Sequence, residues 1–482
     1  MNVKNFIIIV CIIITVPVIA QDKSELTIYQ VMQRVLDRYP SLKISEMEVA
    51  QSLEQRKQVE SQLGWILNSS ASINHDLTGF GTPSDSLDIN GAITRQLKSG
   101  SSLSLSGGYR YEDNSLSFSP LLPNPAHTTR LDLSYRIPLL QGENNPLYSQ
   151  GLIEAELSHD LAKANQQLTH VTLAENVKDL YYATALTQAR LNNAKESVQR
   201  AKKFKAYINK NIKIGLAEEK DRLQANAQLN SKLSDLNSIK LTWEKQKSSL
   251  NRLMLEDWNA DIQPKLLNFK SFDQNVNTII AITKNYHPAL KIADANLSLA
   301  ESQINTARDT MKDNLDFVVS VGTRTSDGNN ASGNSISEKD WAGAVRFEYR
   351  HLFDDQGVNA KLKQAQLQKN IALNEVQKIS DDINYTVSGL TSEIQAAKVA
   401  VASALDKLNS ESLKLNEAVQ RYRNGRADTD QVIQFQNDYS FSVLAYQSQR
   451  IGLNQRIIAL DIFTGRFWSN LSLPQGEMEA KQ

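Results

Sequence analysis

The chain has 482 residues, enough for two or three ordinary domains or for one large duplicated one. Its 53 Lys and Arg residues are balanced by 53 Asp and Glu, which gives no support to a nucleic-acid partner. A single cysteine, Cys11, excludes a disulfide framework.

In chain order, residues 1–20, MNVKNFIIIVCIIITVPVIA, join a basic start at Lys4 to a run of about ten apolar residues, then Pro17, Val18 and Ala20. The pattern predicts a secretory signal peptide cut before Gln21. The alternative, an uncleaved anchor, falls short of the ~20 apolar residues a spanning helix needs. Cys11 lies within the apolar run, so the mature chain would carry no thiol for a disulfide or an N-terminal lipid. No later apolar stretch is long enough to cross a bilayer as a helix. Membrane entry would therefore require a β-barrel.

The next segment, RYPSLKISEMEVAQSLEQRKQVESQL, predicts a helix opening at Pro40, where proline lacks only a donor that the first turn leaves unused. Leu42, Val49, Val59 and Leu63 keep a heptad register, with polar Ser45, Ser52 and Arg56 at its other places. The period then changes to two. In SLDINGAIT, Leu87, Ile89 and Ile93 alternate with Asp88, Asn90 and Thr94. In SLSLSGGYRYE and RLDLSYRIPLL, Leu103, Leu105, Tyr109, Tyr111, Leu131, Leu133, Tyr135 and Ile137 alternate with serines and charges. A tight turn at Lys98, Ser99 and Gly100 joins the first two strands. Proline-rich SPLLPNPAHTT reads as a long outer loop.

From Leu152 to Ile214 there is no glycine or proline, and Leu157, Leu161, Ala164, Leu168 and Val171 recur at steps of four and three. A helix of about 63 residues would be roughly 95 Å long, too long to fold back inside a globular domain. Gly215 ends it and a second helix runs to about Leu255.

The second half follows the same plan. NYHPALKIADANLSLAESQINTARDTM opens at Pro288 and keeps Leu290, Ala293, Leu297, Ala300, Ile304, Ala307 and Met311 in an unbroken heptad. WAGAVRFEYRH alternates Val345, Phe347 and Tyr349 with Arg346, Glu348 and Arg350, and polar TSDGNNASGNSISEKD before it reads as a second outer loop. A helix from Val358 to Asn424, broken only by Gly389, ends at Gly425, and its partner runs to about Phe467. Charged residues sharing strands with terminal aromatics fit a sheet with one face in lipid and one in water.

These readings divide the chain into a signal peptide (1–20), a first repeat (21–270, strands about 66–139), a second repeat (271–470, strands about 314–353) and a tail (471–482). The fold class is mainly α with a transmembrane β part, built from a duplicated helix-strand unit. The halves stand 248 residues apart at Pro40 and Pro288, 213 apart at Leu139 and Leu352, and 210 apart at Gly215 and Gly425. The first half thus holds about 35 extra residues, the length of two membrane strands and their connections.

This order resembles the TolC family of outer-membrane efflux and secretion channels over essentially all of the mature chain. The likeness is carried by the paired YPSLKI and YHPALKI helix starts, by IPLLQG and HLFDDQG where strands return to helices, and by the turns KIGLAEEKD and YRNGRADTD. The resemblance implies homotrimers in which strands from three chains close one barrel in outer-membrane lipid while helices form a periplasmic tunnel. It also implies a periplasmic adaptor (membrane fusion) protein and, through it, an inner-membrane transporter. The family's usual wall has 12 strands. The added hairpin would make 18, or else fold outside or above a 12-strand wall.

The resemblance further implies that the glycine turns close the periplasmic entrance. The gate candidates are Gly215 and Asp221 in the first turn, and Tyr422, Arg423, Gly425, Arg426, Asp428 and Asp430 in the second. In the family pattern a tyrosine of the second turn bonds an aspartate of the first, and Tyr422 and Asp221 stand at those places. Lys220 replaces the usual acceptor before that aspartate, and Gln431 and Gln434 replace an acidic pair. Helix-end electrostatics alone accounts for most of these charges.

His75, His127, His159, His170, His287 and His351 show no metal spacing and read as scattered solvent-facing side chains. No catalytic motif, nucleotide site or cofactor site stands out, so no enzyme is expected. The leading function is a passive exit duct of a tripartite efflux or type I secretion system. The alternatives are a periplasmic coiled-coil adaptor or scaffold, and a diffusion porin, which would need many more strands and almost no long helices.

Overall fold

The computed structural model describes residues 24–77, 83–114, 121, 123–268 and 275–471. The expected signal peptide, the end of the tail from residue 472, and much of the proline-rich segment lie outside them.

In chain order the first half contains β1 (Ser24–Leu26), α1 (Ile28–Arg38), α2 (Pro40–Ser61), β2 (Trp65–Leu77), β3 (Pro83–Gln96), β4 (Ser102–Asn114), β5 (Ala126–Pro138), α3 (Pro146–Lys213) and α4 (Glu219–Leu253). After it come β6 (Ile262–Pro264), α5 (Val276–Tyr286), α6 (Pro288–Asp309), β7 (Asn314–Asn329), β8 (Ser335–Arg350), α7 (Gln356–Arg423), α8 (Thr429–Thr464) and α9 (Arg466–Leu471). Helices α2 and α6 both have 22 residues, and α3 and α7 both have 68. Among the described residues no helix is long and apolar enough to cross a membrane.

The chain forms two compact units, neither of which coincides with one half. The first takes the described parts of residues 1–39, 171–279 and 387–482. Here α1 opens with a capping box: the Gln30 backbone N–H donates to Thr27 Oγ1 at 3.4 Å, and the Thr27 N–H to Gln30 Oε1 at 2.8 Å. Its buried Tyr29 stacks on Phe467 of α9 at 5.0 Å between ring centroids. Strands β1 and β6 pair in parallel, and the buried Tyr181 hydroxyl reaches the carbonyls of Leu26 (2.8 Å) and Lys265 (2.7 Å). Further along α3, Val198 and Ala201 pack on Leu229 of α4. A buried polar seam joins α3 to α8, where Asn193 donates to the Ser440 carbonyl (3.3 Å) and Arg200 to the Ser440 hydroxyl (2.7 Å).

The second unit takes residues 40–170 and 280–386. The heptad of α6 buries Ala293, Ala300 and Ile304, while Met311, beyond the end of the helix, is exposed. On α2 the polar places are small enough to be buried: Ser45 and Ser52 donate to the carbonyls of Leu42 (2.8 Å) and Val49 (2.6 Å). Hydroxyls that satisfy themselves on their own helix bury at little cost.

The strands of this unit form one antiparallel sheet in the order β2-β3-β4-β5-β7-β8. The hairpin of β3 and β4 lies inside it, with β3 paired to β2 along its length and β4 paired to β5. The segment TSDGNNASGNSISEKD is not a long loop. Thr325 to Asn329 belong to β7 and Ser335 to Asp340 to β8, paired directly from Thr325↔Lys339 to Asn329↔Ser335. Asn330 makes so short a connection possible, because its side-chain oxygen accepts the N–H groups of Ser332 (3.0 Å) and Asn334 (2.8 Å). Likewise Ala126 to Thr129 of the proline-rich segment are strand.

Candidate functional site

Two regions carry functional geometry, the sheet and the turns that end the long hairpins. In the sheet, strand pleating sends alternate residues to opposite faces, and the register aligns them across all six strands. One row runs Leu67, Ile93, Leu105, Leu133, Val321, Gly343. On this apolar face Trp65, Tyr135, Phe317, Phe347 and Tyr349 gather at the end nearest the helices, and Tyr109, Tyr111 and Trp341 toward the other. Most of its large side chains are exposed, from Val319 at 38% to Ile73 at 84%, while Leu87, Leu103, Tyr109, Tyr111, Tyr135 and Phe317 are half-buried. The neighbouring row on the other face reads Ile66, Thr94, Ser104, Ser134, Ser320, Ala344. That polar face carries ion pairs, Arg110 with Glu112 (3.2 Å) and Arg130 with Asp132 (3.3 Å) among them. Near the helices the buried Asp316 is paired with Arg136. Arg95 ends the apolar face by stacking over Trp65 (5.5 Å) and donating to the Leu63 carbonyl (3.1 Å).

The two hairpin turns have the same construction. Gly215 (φ 76°) and Gly425 (φ 70°) take the left-handed conformation, and the N–H groups of Leu216 and Arg426 reach back to the carbonyls of Asn211 (2.9 Å) and Arg421 (2.8 Å). This six-residue closure satisfies carbonyls that the helix end would otherwise leave unpaired. Asp221 accepts the Glu218 N–H (3.0 Å), the capping role its place in the first turn of α4 allows. Asp428 is the N-cap residue of α8, and Asp430 accepts from Gln224 of α4 (2.6 Å). Arg423 and Arg426 are exposed.

Within the chain the Tyr422 hydroxyl pairs with Thr429 (3.0 Å), while Asp221 stays near enough to act on it through its charge. Partial burial pushes the phenol's pKa up, the Thr429 hydrogen bond opposes this, and Asp221 and Tyr207 add to the rise. The ring lies 5.4 Å from Phe204 and 6.0 Å from Tyr207, over a core of Phe204, Ile208, Ala225 and Val432. Sequence reasoning missed Thr429 and Gln224. Phe204 and Ile208 stand at helical spacing just before the turn, and that spacing was a usable signal.

The histidines divide. His75, His127 and His351 are exposed as expected, but His159, His170 and His287 are partly buried. His159 meets the Ser52 hydroxyl at 2.9 Å. Burial lowers the pKa of His287, and also that of His170, against the opposing charge of Glu46.

No family model and no curated protein matches the chain. Solved structures do. The outer membrane protein VceC from Vibrio cholerae aligns with 91% of this chain and 96% of its own, at 14% identity and a TM-score of 0.66. The CmeC outer membrane channel of Campylobacter jejuni aligns over 91% and 85%, at 17% identity and a TM-score of 0.63. CusC, solved in conformations that accompany folding and transmembrane channel formation, aligns over 91% of both chains, at 15% identity and a TM-score of 0.67. These proteins are TolC-family outer-membrane channels. This chain has the TolC-family fold. The solved proteins that share the TolC fold here are channels and not enzymes. In this chain the fold carries two-faced strands at one place and paired glycine turns at another.

Proposed function

We propose that the protein is a passive outer-membrane exit duct of a tripartite efflux or type I secretion system. In this reading it is a homotrimer in the outer membrane that extends into the periplasm. The observation that carries the proposal is the sheet, apolar with aromatic borders on one face and charged on the other, on the same chain as two long helical hairpins. A bilayer and an aqueous lumen satisfy both faces at once. A periplasmic adaptor or scaffold has no use for an exposed apolar sheet. The trimer is supported by α7, where Ile371 (60% exposed), Tyr385 (79%), Val399 (68%) and Leu413 (71%) recur every two heptads and call for neighbouring helices. An adaptor (membrane fusion) protein would join the helical end to an inner-membrane transporter, which supplies the energy.

The glycine turns are the proposed periplasmic gate, with Tyr422 holding the tip and Asp221, Arg423, Arg426, Asp428 and Asp430 supplying its charge pattern. Planar-bilayer recording of the purified protein tests duct and gate together. The parent is expected to conduct at a low closed level. Tyr422→Phe removes one hydrogen bond worth about 1 kcal/mol, so open-state occupancy is expected to rise about fivefold per chain. A protein that never conducts would contradict the duct. An unchanged closed level in Tyr422→Phe would leave the turn charges with helix capping alone.

A further inference from the structure

The sheet is open. Among the described residues its edge strands β2 and β8 are not paired to each other, and each is paired to a neighbouring strand along one side only. Edge β2 is not guarded in the usual manner, carrying no proline, lysine or arginine; β8 carries no proline, and its Arg346, Glu348 and Arg350 lie in the rows of the polar face. In a bilayer such edges must be closed by another strand. With six alternating strands, β2 and β8 run in opposite directions. Joining β8 of one copy to β2 of the next therefore continues the antiparallel order and keeps apolar face beside apolar face. A head-to-tail contact of this kind gives a ring when its rotation closes, and only a closed ring leaves no edge in the bilayer. The occupant of each edge is thus a second copy of this chain.

The position of the extra hairpin then sets the size of the ring. Strands β3 and β4 separate β2 from β5, with ladders running from Trp65↔Arg95 to Leu77↔Pro83 on one side and from Ser102↔Arg136 to Glu112↔Ala126 on the other. Their apolar residues Leu87, Ile89, Ile93, Leu103 and Leu105 share a face with Leu131 and Leu133 of β5. The turn at the base of the hairpin is built into the rim of the sheet. Ser99 accepts the Asn144 N–H (3.0 Å), and Leu97 accepts from the Asn145 side chain (3.3 Å), both donors lying where β5 returns to α3. Gly100 (φ 86°) lies so close to the Gly142 carbonyl that a Cβ there would collide with it. A hairpin outside or above the wall would need neither the lipid-type face nor this docked turn.

We infer that the membrane wall is an 18-strand barrel, six strands from each of three chains. The inference rests on the trimeric duct proposed above. Barrel diameter grows roughly linearly with strand number, so this wall is about half as wide again as a 12-strand wall of equal tilt.

The test uses single cysteines in a Cys11→Ser background of the full chain, in outer membranes. Ser104→Cys and Asn90→Cys lie on the polar face, Leu105→Cys and Ile89→Cys on the apolar face. A water-soluble, membrane-impermeant maleimide is expected to label the first pair at least about tenfold faster than the second. A bilayer-soluble pyrene maleimide is expected to reverse the order, which also shows that the apolar-face variants have assembled. Rapid labelling of all four positions by the water-soluble reagent would overturn the 18-strand wall and leave the trimer standing. Face-dependent labelling in a particle of two chains would overturn both the strand count and the trimer.

Discussion

Leu133→Arg is expected to empty the outer membrane of this protein, while Ser134→Arg, one residue along the same strand, is expected to leave its level close to that of the parent. Leu133 sits in central strand β5 between Leu105 and Val321, on the apolar face and between its two aromatic borders. An arginine facing lipid near the midplane costs about 2–4 kcal/mol in each chain. In the proposed trimer this becomes about 6–12 kcal/mol, comparable with the whole stability of an ordinary domain. Ser134 points to the polar face, where Arg110, Arg130 and Arg346 already stand beside acidic partners. Immunoblots of separated membranes read the result. Equal loss of both variants would mean that the faces do not meet different solvents.

Arg466→Met is expected to destabilise the helical unit by about 3 kcal/mol at neutral pH, because it strips the cation from a buried carboxylate. Asp461 is 7% exposed, and Arg466 reaches it at 2.8 Å. Burial raises the carboxyl's pKa, and the charge and hydrogen bond of Arg466 hold it down. Without Arg466 the pKa rises further. Between the ordinary carboxyl pKa and that raised value the folded state holds a proton that the unfolded state has lost, so stability increases as pH falls through the window. The deficit of Arg466→Met against the parent should therefore shrink from pH 7.5 to pH 5 in urea unfolding followed by helical circular dichroism. Adding Asp461→Asn should abolish that pH dependence. A deficit equal at both pH values would show that lost packing, and not the buried charge, is responsible.

Helix lengths were legible in the sequence wherever glycine and proline punctuate it. Pro40 and Pro288 open α2 and α6, and Gly215 and Gly425 sit where the long helices end. Strands were legible where large apolar residues alternate with charges, as in β4, β5 and β8. The polar ends of β7 and β8 were not, because composition reads SDGNN and SGNSISEKD as loop while backbone pairing needs no apolar side chain. The pairing of β1 with β6 rests on three residues in each strand, too few to leave a period. In the turn, Tyr422 and Asp221 stand close, but Asp221 is already engaged as a helix cap and Thr429, which opens α8 across the Gly425 turn, takes the phenol. The seam of Asn193, Ser197, Arg200 and Ser440 was hidden for a related reason: a stripe of apolar heptad positions says nothing about which polar residues are buried beside it.

The central claim is that neither the exposed apolar stripe of α7 nor the open sheet is satisfied in one copy of the chain. The mass of the protein extracted in mild detergent, measured by light scattering with the detergent contribution subtracted, tests this most directly. Three chains per particle is the predicted result, and a particle that is chiefly one chain would contradict it.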